Sequence, residues 1–410
     1  MSQNDVGPYQ YTRFHPDAGT AETPTRIALM RPADVAADRF ARAQEALSAV
    51  SKWRLQPEER GTHGFVVPVR MVYDAEAEPS RAPEVALSKI TDLQAWLDPM
   101  LLGAVAYKPS AFTRGDLGRV PVAVQMAPPE RTKPSGRRRV VALLDTAVAD
   151  HPWWSGDPAD DRFIVDAESV PKKWDPGPRL EPPSNRTPEL AEQEGHGTFS
   201  AGLIRQIAPN ARVLAVRIMA DDGTVYGDHV LNALQWIADT SEMVSGDVVC
   251  LPVGFRPILP ADGRYLDWLA EVLGVVANKG VTVVTSAGNE GRTDPVYPAA
   301  FASSVLPEEF WIRSVGATNV DGDDAPAAYY SNVGQWVTDW EVGTSVVSTF
   351  PAVNAAATPE FDLKGTDGER GRQTADPDDF RSGFARWSGT SFSAAIHAAK
   401  LAAGKDRRKR

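Results

Sequence analysis

Cysteine is nearly absent from this chain of 410 residues, which contains only Cys250. A single thiol cannot form an internal disulfide, and no set of cysteines and histidines shows the spacing of zinc ligands. Cys250 lies in the largely apolar run Asp247–Leu251, which predicts a small core residue rather than a nucleophile. We therefore expect neither a metal ion nor a cofactor.

Basic residues are fewer than acidic ones, with 43 Lys and Arg against 54 Asp and Glu, which gives a net charge of −11. Without a basic excess to neutralise phosphates, we expect no nucleic-acid partner. No run of about 18 uninterrupted apolar residues occurs, so we expect no transmembrane helix and no membrane partner. Residues 1–5 lack the basic and apolar segments of a signal peptide, which favours a cytoplasmic location.

What the sequence does contain is a globular composition, 42% apolar and 24% charged, in two parts of different pattern. After a flexible lead-in, residues 1–24, residues 25–130 predict a small α/β N-terminal domain. Pro68 places its second strand at a sheet edge. The predicted strands are Thr25–Met30, Gly64–Tyr73 and Val120–Val124, and the predicted helices are Pro32–Trp53 and Ala82–Leu97.

Two basic segments flank the second part of the chain. Residues 131–139 are typical of a solvated linker, and a processing site is the alternative interpretation. Residues 404–410 predict a solvated basic tail rather than a nucleic-acid arm. The linker is therefore our predicted boundary between the N-terminal domain and the rest.

Between residues 140 and 403 strands and helices alternate, as in a parallel sheet with helices on both faces. We therefore predict an α/β fold with a mostly parallel central sheet. Residues 155–193 and 355–386 interrupt the alternation and predict surface insertions. The predicted strands are Val140–Leu144, Arg212–Ile218, Asp247–Val253 and Val281–Thr285, and the predicted helices are Gly197–Ile207, Gly227–Thr240, Tyr265–Lys279 and Ser391–Ala403.

Four polar residues stand at the ends of these elements. Asp145 and Asn289 follow strands, His196 lies between two glycines at a helix start, and Ser391 begins the last helix. Each has an ordinary explanation, as a turn residue or a helix cap. Together they meet the needs of acyl transfer, in which a serine requires a base, the base a carboxylate and the oxyanion hydrogen-bond donors. The joint occurrence favours a serine hydrolase.

The order Asp, His, Ser resembles the subtilisin-like serine proteases, or subtilases. The matching segments lie within about 140–403 and are Asp145-Thr146, Gly195–Thr198, Ser286–Gly291 and Ser388–Ser391. The resemblance implies a subtilisin-like fold in which Asp145 orients the base, His196 is general base and then acid, and Ser391 attacks. It also implies that Asn289 helps to hold the oxyanion, together with the backbone N–H of Ser391.

The resemblance further implies where a substrate binds. An extended peptide would pair with the strand formed by Leu251, Pro252, Val253 and Gly254, while Ala287 and Gly288 would line the pocket for the residue before the scissile bond. Within that strand, Pro252 departs from the family pattern and lacks an N–H donor.

Other departures lie in or near the matching segments. Ala147 replaces a usual glycine, Phe199 stands where a second histidine is common, and no proline follows the alanines after Ser391. His397 on the same helix is predicted to be structural. Because the sequence ends soon after this helix, we expect either marginal support for it or a partner protein that covers this side.

Several functional interpretations remain open from the sequence. The first is a serine endopeptidase acting on a restricted intracellular protein or peptide. The alternatives are a catalytically silent peptide-binding protein on the same fold, and an esterase or maturation enzyme of narrow specificity. The N-terminal domain fits a pro-domain, acting as folding template and inhibitor, and equally a module that recruits one substrate.

Overall fold

The structure, a computed structural model, describes most of the chain. It covers residues 25–35, 37–50, 53–57, 64–73, 95–97, 100–103, 118–123, 125–176, 190–257, 263–303, 312–322, 324–354, 362–364, 370–374, 376 and 378–405. The predicted lead-in 1–24 and residues 82–94 of the second predicted helix lie outside these ranges. The chain forms two compact units, one of Met1–Leu101, Val225–Asp239 and Pro257–Val275, and a second of Leu102–Thr224, Thr240–Arg256 and Val276–Arg410.

The described elements are numbered in chain order. The helices are α1 (Pro32–Val35), α2 (Ala37–Val50), α3 (His196–Ile207), α4 (Gly227–Asp239), α5 (Gly263–Asn278) and α6 (Thr390–Ala402). The strands are β1 (Thr25–Met30), β2 (Trp53–Pro57), β3 (Val67–Tyr73), β4 (Ala95–Leu97), β5 (Met100–Gly103), β6 (Val120–Pro121), β7 (Val140–Asp145), β8 (Ile164–Asp166), β9 (Arg212–Arg217), β10 (Thr224–Tyr226), β11 (Val248–Leu251), β12 (Val253–Gly254), β13 (Thr282–Ser286), β14 (Ile312–Thr318), β15 (Asp339–Val342), β16 (Val346–Thr349), β17 (Asp362–Leu363), β18 (Arg372–Gln373) and β19 (Phe384–Trp387).

The first unit contains a four-stranded antiparallel sheet in the order β2-β3-β1-β4. Helix α2 contributes Ala43 and Leu47 to its core, four residues apart and so on one helix face. The same unit includes α4 and α5. Asn232 of α4 accepts hydrogen bonds from the N–H groups of Phe65 and Val66 at 2.8 and 3.0 Å. These bonds tie the end of the N-terminal sheet to a helix encoded more than 160 residues later.

Two predictions for this unit are wrong. Strand β3 is not an edge strand, because it lies between β2 and β1. Among the described residues the pairing of β3 with β2 reaches Val69, and Pro68 stands opposite Leu29 of β1. In addition, Ala95–Leu97, the last turn of a predicted helix, form β4 and pair with β1.

The second unit is organised around a seven-stranded sheet in the order β15-β14-β13-β11-β7-β9-β8, in which every pairing is parallel. This confirms the α/β prediction. Helices α3 and α6 pack against each other, and both contact the sheet. Strands β7 and β11 are buried along their whole length, as expected for the centre of a parallel sheet. Cys250 lies in β11 and is fully buried, as predicted.

Each of the two predicted insertions is mostly exposed or half-buried where it is described, but contributes aromatic residues to the core. The first contains β8, which extends the sheet, and buries Phe163 and Trp174. The second buries Phe380 and ends in β19. Because the composition of these segments is typical of surface loops, the burial of their aromatic residues was not predicted from the sequence. Likewise the predicted strand Val120–Val124 is only β6, which pairs with β19 rather than with the N-terminal sheet.

The basic segment 131–139 belongs to the second unit and is mostly exposed, but two of its arginines anchor it there. Arg138 makes a bidentate pair with Asp161, with both N···O distances 2.6 Å, and Arg131 lies 3.1 Å from Asp157. Both arginine side chains are buried. The leading segment of the first unit ends earlier, at Leu101. Among the described helices none is long and apolar enough to cross a membrane.

Candidate active site

Asp145 is the last residue of β7, in the interior of the parallel sheet. Its side chain is completely buried, and the N–H of Thr146 donates to its Oδ1 at 2.7 Å. The hydroxyl of Thr146 in turn accepts the N–H of Gly197 at 2.9 Å. The pair Asp145-Thr146 therefore connects the end of the strand to the start of α3.

His196 is the first residue of α3. Its Nδ1 lies 2.7 and 2.8 Å from the two carboxylate oxygens of Asp145, so the ring donates from Nδ1. Gly195 turns the chain into the helix with φ = 82°, and a β carbon there would come within 2.4 Å of the Phe350 ring. The buried Nε2 has no hydrogen-bond partner among the described residues. It is thus the nitrogen able to accept a proton.

Ser391 is the second residue of α6, preceded by Thr390 and the cap position Gly389. It is not the ordinary capping serine considered from the sequence, because the cap position is glycine. Ser391 Oγ lies 3.5 Å from the carbonyl oxygen of Pro252. The neighbouring Phe392 ring is 5.1 Å from the imidazole of His196, centroid to centroid. The starts of the two helices that carry Ser391 and His196 therefore lie close together.

Asn289 is linked to the same helix turn. Its Oδ1 accepts the N–H of Thr390 at 2.9 Å, and the Thr390 hydroxyl accepts the N–H of Gly288 at 3.1 Å. This orientation leaves the Nδ2 donor of Asn289 buried and without a partner in the described part of the chain. A buried unpaired donor costs roughly 1–3 kcal/mol, a cost that a ligand oxygen would offset.

The sequence model of the subtilase family matches residues 136–409. The chain belongs to the subtilase family. It is accordingly a serine endopeptidase, a hydrolase. Its relatives include thermitase from Thermoactinomyces vulgaris, 25% identical over 53% of this chain and 67% of the relative. Subtilisin BL from Lederbergia lenta is 25% identical over 53% of this chain and 68% of its own. A lanthipeptide protease of known crystal structure is 18% identical, with a TM-score of 0.45 over 67% of this chain and 76% of that one.

The substrate-strand residues predicted for this subtilase flank Ser391. Leu251 ends β11, and Val253 and Gly254 form β12, which pairs antiparallel with β5 through Gly103 and Leu102 respectively. Pro252 lies between the two strands. One edge of β12 is thus already paired with β5 of the same chain.

Ala287 and Gly288 lie on another side of Ser391, directly after β13. The N–H of Ala287 donates to the carbonyl of Val315 at 2.9 Å, which continues the sheet by one residue. Asn332 donates from Nδ2 to the Ala287 carbonyl at 2.9 Å and accepts the N–H of Glu290 at 3.2 Å. The turn that carries Asn289 is therefore held from two directions.

Two residues that support the site, Arg119 and Phe199, were not predicted from the sequence to do so. Arg119 donates to the carbonyls of Ala191 and Glu194 at 3.0 and 2.8 Å, so it holds the loop before His196. Burial lowers the pKa of its guanidinium below the usual value, although Glu194 opposes this. Phe199 lies 4.5 Å from Phe392, centroid to centroid, and so packs α3 on α6. No local motif marks either role.

The remaining electrostatics of the site are simple. Burial, reinforced by the charge of Asp145, raises the pKa of the Cys250 thiol well above its ordinary value, so this cysteine is an unreactive core residue. Within the described residues no group of three or more His, Cys, Asp or Glu side chains could hold a metal ion.

Proposed function

We propose that this subtilase cleaves peptide bonds with Ser391 as nucleophile, His196 as general base and then acid, and Asp145 as the group that orients the imidazole. The observation that carries the proposal is the buried Asp145–His196 pair. It fixes the proton on Nδ1 and leaves Nε2 without a partner in the described structure, on a helix that packs against the helix of Ser391. An imidazole in this tautomer can take the serine proton.

In the proposed reaction Ser391 Oγ attacks the carbonyl carbon while His196 Nε2 takes its proton. The tetrahedral oxyanion accepts hydrogen bonds from Asn289 Nδ2 and from the N–H of Ser391, in the first turn of α6. Collapse returns the proton to the leaving amine and leaves an acyl-enzyme, which water hydrolyses by the same proton transfers. Asn289→Leu should lower kcat about 10²–10³-fold, a range adopted from a subtilisin whose oxyanion asparagine was removed.

The substrate is proposed to be an extended peptide that pairs with β12. Support comes from β5, whose residues Leu102 and Gly103 occupy that edge in antiparallel register. Main-chain pairing of this kind recognises a strand rather than a particular side chain. It favours a peptidase over an esterase.

The same pairing supports an inhibitory role for the N-terminal region, and so favours a pro-domain over a recruitment module. A substrate and β5 need the same edge of β12, so the intact chain blocks its own binding strand. The cytoplasmic location, an intracellular substrate and a partner covering α6 stay predictions.

Labelling with a fluorophosphonate probe tests the nucleophile. Ser391→Ala should abolish labelling, whereas Ser393→Ala should retain it. Ser393 is a matched control because it is buried on the same helix and donates to the carbonyl of Glu341 at 3.1 Å. Undiminished labelling of the Ser391 variant would refute the assignment, and so would equal loss in both variants.

The labelling rate also tests the inhibitory strand. Strand β5 has neighbours on both sides, β10 and β12, so proline at Leu102 removes an N–H that faces one of them. Leu102→Pro should label at least about tenfold faster than wild type, about 1.4 kcal/mol of weakened pairing. Leu363→Pro, in the separate hairpin of β17 and β18, is the control and should leave the rate unchanged. Equal rates in all three proteins would contradict self-blocking.

A further inference from the structure

Two backbone segments bound the space beside Ser391. On one side the carbonyl oxygen of Pro252 lies 3.5 Å from Ser391 Oγ, and the strand continues to Gly254. On the other side Gly288 is hydrogen-bonded to Thr390. The inference that follows rests on the proposed function. If Ser391 attacks a peptide paired with β12, the side chain before the scissile bond enters between these two segments.

Val296 lies against the first of these two segments. A β carbon placed on Gly254 would lie only 2.8 Å from Cγ1 of Val296, so the valine packs directly against the glycine backbone. Val296 is 8% exposed and belongs to the apolar cluster that contains Ala287. Its isopropyl group therefore lies against one wall and belongs to the same apolar cluster as Ala287 of the other.

The position of Val296 is held by backbone hydrogen bonds. Phe255, directly after Gly254, and Tyr297, directly after Val296, exchange two bonds, each 2.7 Å long. A third bond runs from the N–H of Ala300 to the carbonyl of Val296, also 2.7 Å. Because these bonds link the two segments, Val296 cannot withdraw from Gly254 to admit a larger side chain unless they break.

An acidic residue near the same turn is already engaged. The Oε2 of Glu290 accepts a hydrogen bond from Asn332 Nδ2 at 2.5 Å, while the backbone N–H of Glu290 donates to Asn332 Oδ1. A cationic substrate side chain would have to compete with this amide. We therefore expect the two segments beside Ser391 to select the substrate side chain by its size rather than by its charge.

We propose that Val296 is a specificity-determining residue, which restricts the residue before the scissile bond to a small side chain such as alanine, glycine or serine. Leucine or phenylalanine would need the volume that the valine occupies. A single methylene in a tight pocket changes kcat/KM roughly 10–200-fold. We therefore expect alanine to be preferred over phenylalanine by at least about tenfold.

The experiment uses the full chain with Leu102→Pro, which should free β12, as the parent protein, and quenched fluorescent peptides that differ only at this residue, with alanine, serine, leucine, phenylalanine or lysine. Val296→Ala should raise kcat/KM for the leucine and phenylalanine peptides about tenfold and change the alanine peptide less than about threefold. Val337→Ala is the matched control, a buried valine of the same cluster, and should keep the preference of the parent protein. Active-site titration with the fluorophosphonate probe normalises each rate to folded enzyme.

The outcomes separate the two proposals. A Leu102→Pro protein that labels at Ser391 and cleaves the phenylalanine or lysine peptide as fast as the alanine peptide overturns the role of Val296 alone. A Leu102→Pro protein that neither labels nor cleaves any peptide overturns the proposed function and this inference with it. The preference of the Leu102→Pro protein is informative even if Val296→Ala does not fold. An equal relaxation in Val337→Ala would also overturn the inference, because it would indicate general loosening of the cluster.

Discussion

Replacement of Asp145 by asparagine is the sharpest perturbation of the proposed mechanism, because the neighbours of Asp145 dictate how the amide must sit. Oδ1 accepts the N–H of Thr146 at 2.7 Å, so the asparagine oxygen should take that position. The NH₂ group then replaces Oδ2, which lies 2.8 Å from Nδ1 of His196. An NH₂ donor and an Nδ1–H donor repel each other at this distance, although the amide oxygen at the Oδ1 position stays 2.7 Å from Nδ1. The NH₂ group therefore favours a tautomer switch that moves the proton of His196 to Nε2, the nitrogen that should accept from Ser391.

The expected magnitude follows from this geometry. The variant destabilises the reactive tautomer, which is no longer held by two carboxylate oxygens, and it loses the buried negative charge that stabilises the imidazolium. An aspartate-to-asparagine change in a triad of the same design lowers kcat about 10⁴-fold, equivalent to about 5.5 kcal/mol of transition-state stabilisation. Because oxygen and NH₂ have nearly the same volume, the thermal unfolding midpoint should change little compared with kcat.

The assay is kcat on an alanine peptide, normalised by circular dichroism to folded protein. Asp166→Asn provides the control, since Asp166 also ends a parallel strand of this sheet and accepts the N–H of Glu168 at 2.8 Å. Asparagine caps nearly as well as aspartate, so kcat should stay within about twofold. A kcat of Asp145→Asn within about tenfold of wild type would refute the tautomer switch.

Three further predictions concern the support of the site. Asp247→Ala should lower the free energy of unfolding by about 3 kcal/mol, measured by urea titration. The substitution removes the carboxylate that accepts the N–H groups of Val140 and Val244 at 3.0 and 2.9 Å. A loss under about 1 kcal/mol would contradict this. Burial lowers the pKa of His151, so its contribution to stability should be complete above about pH 6.5 and decline as the pH falls through the lower folded pKa. His151→Gln should remove that part of the slope, and an unchanged slope would argue against it. Arg119→Met should reduce kcat about tenfold by loosening the loop before His196, and an unchanged kcat would exclude this positioning role.

Sequence patterns predicted the structure best where a local pattern and a chemical need coincide. Four predicted strands and four predicted helices of the second part occur within a few residues of their expected bounds, because alternating buried strands and helices leave a strong local pattern. Asp145, His196, Asn289 and Ser391 were found because each stands at a strand end or a helix start. Their roles remain proposals that the labelling and kinetic experiments test.

Errors arose where partners are distant in the chain. Pro68 indicated an edge strand, but β2 and β1 pair with the two sides of β3. Phe163 and Trp174 lie in a segment whose composition suggested a surface loop, although the fold buries both. Arg119 acts on a loop more than 70 residues away. None of these relations leaves a periodic or local signal.

The sequence by itself therefore determined the parallel α/β class, the family resemblance and the identity of the candidate reactive groups, since these depend on residue type and short spacing. Only the tertiary structure decided that Asn289 is locked to Thr390, that β5 covers the edge of β12, and that Val296 stands against Gly254. The physical reason is that specificity and inhibition depend on which surfaces meet at distances of about 3–4 Å, and the chain brings those surfaces together from positions as far apart as residues 103 and 253.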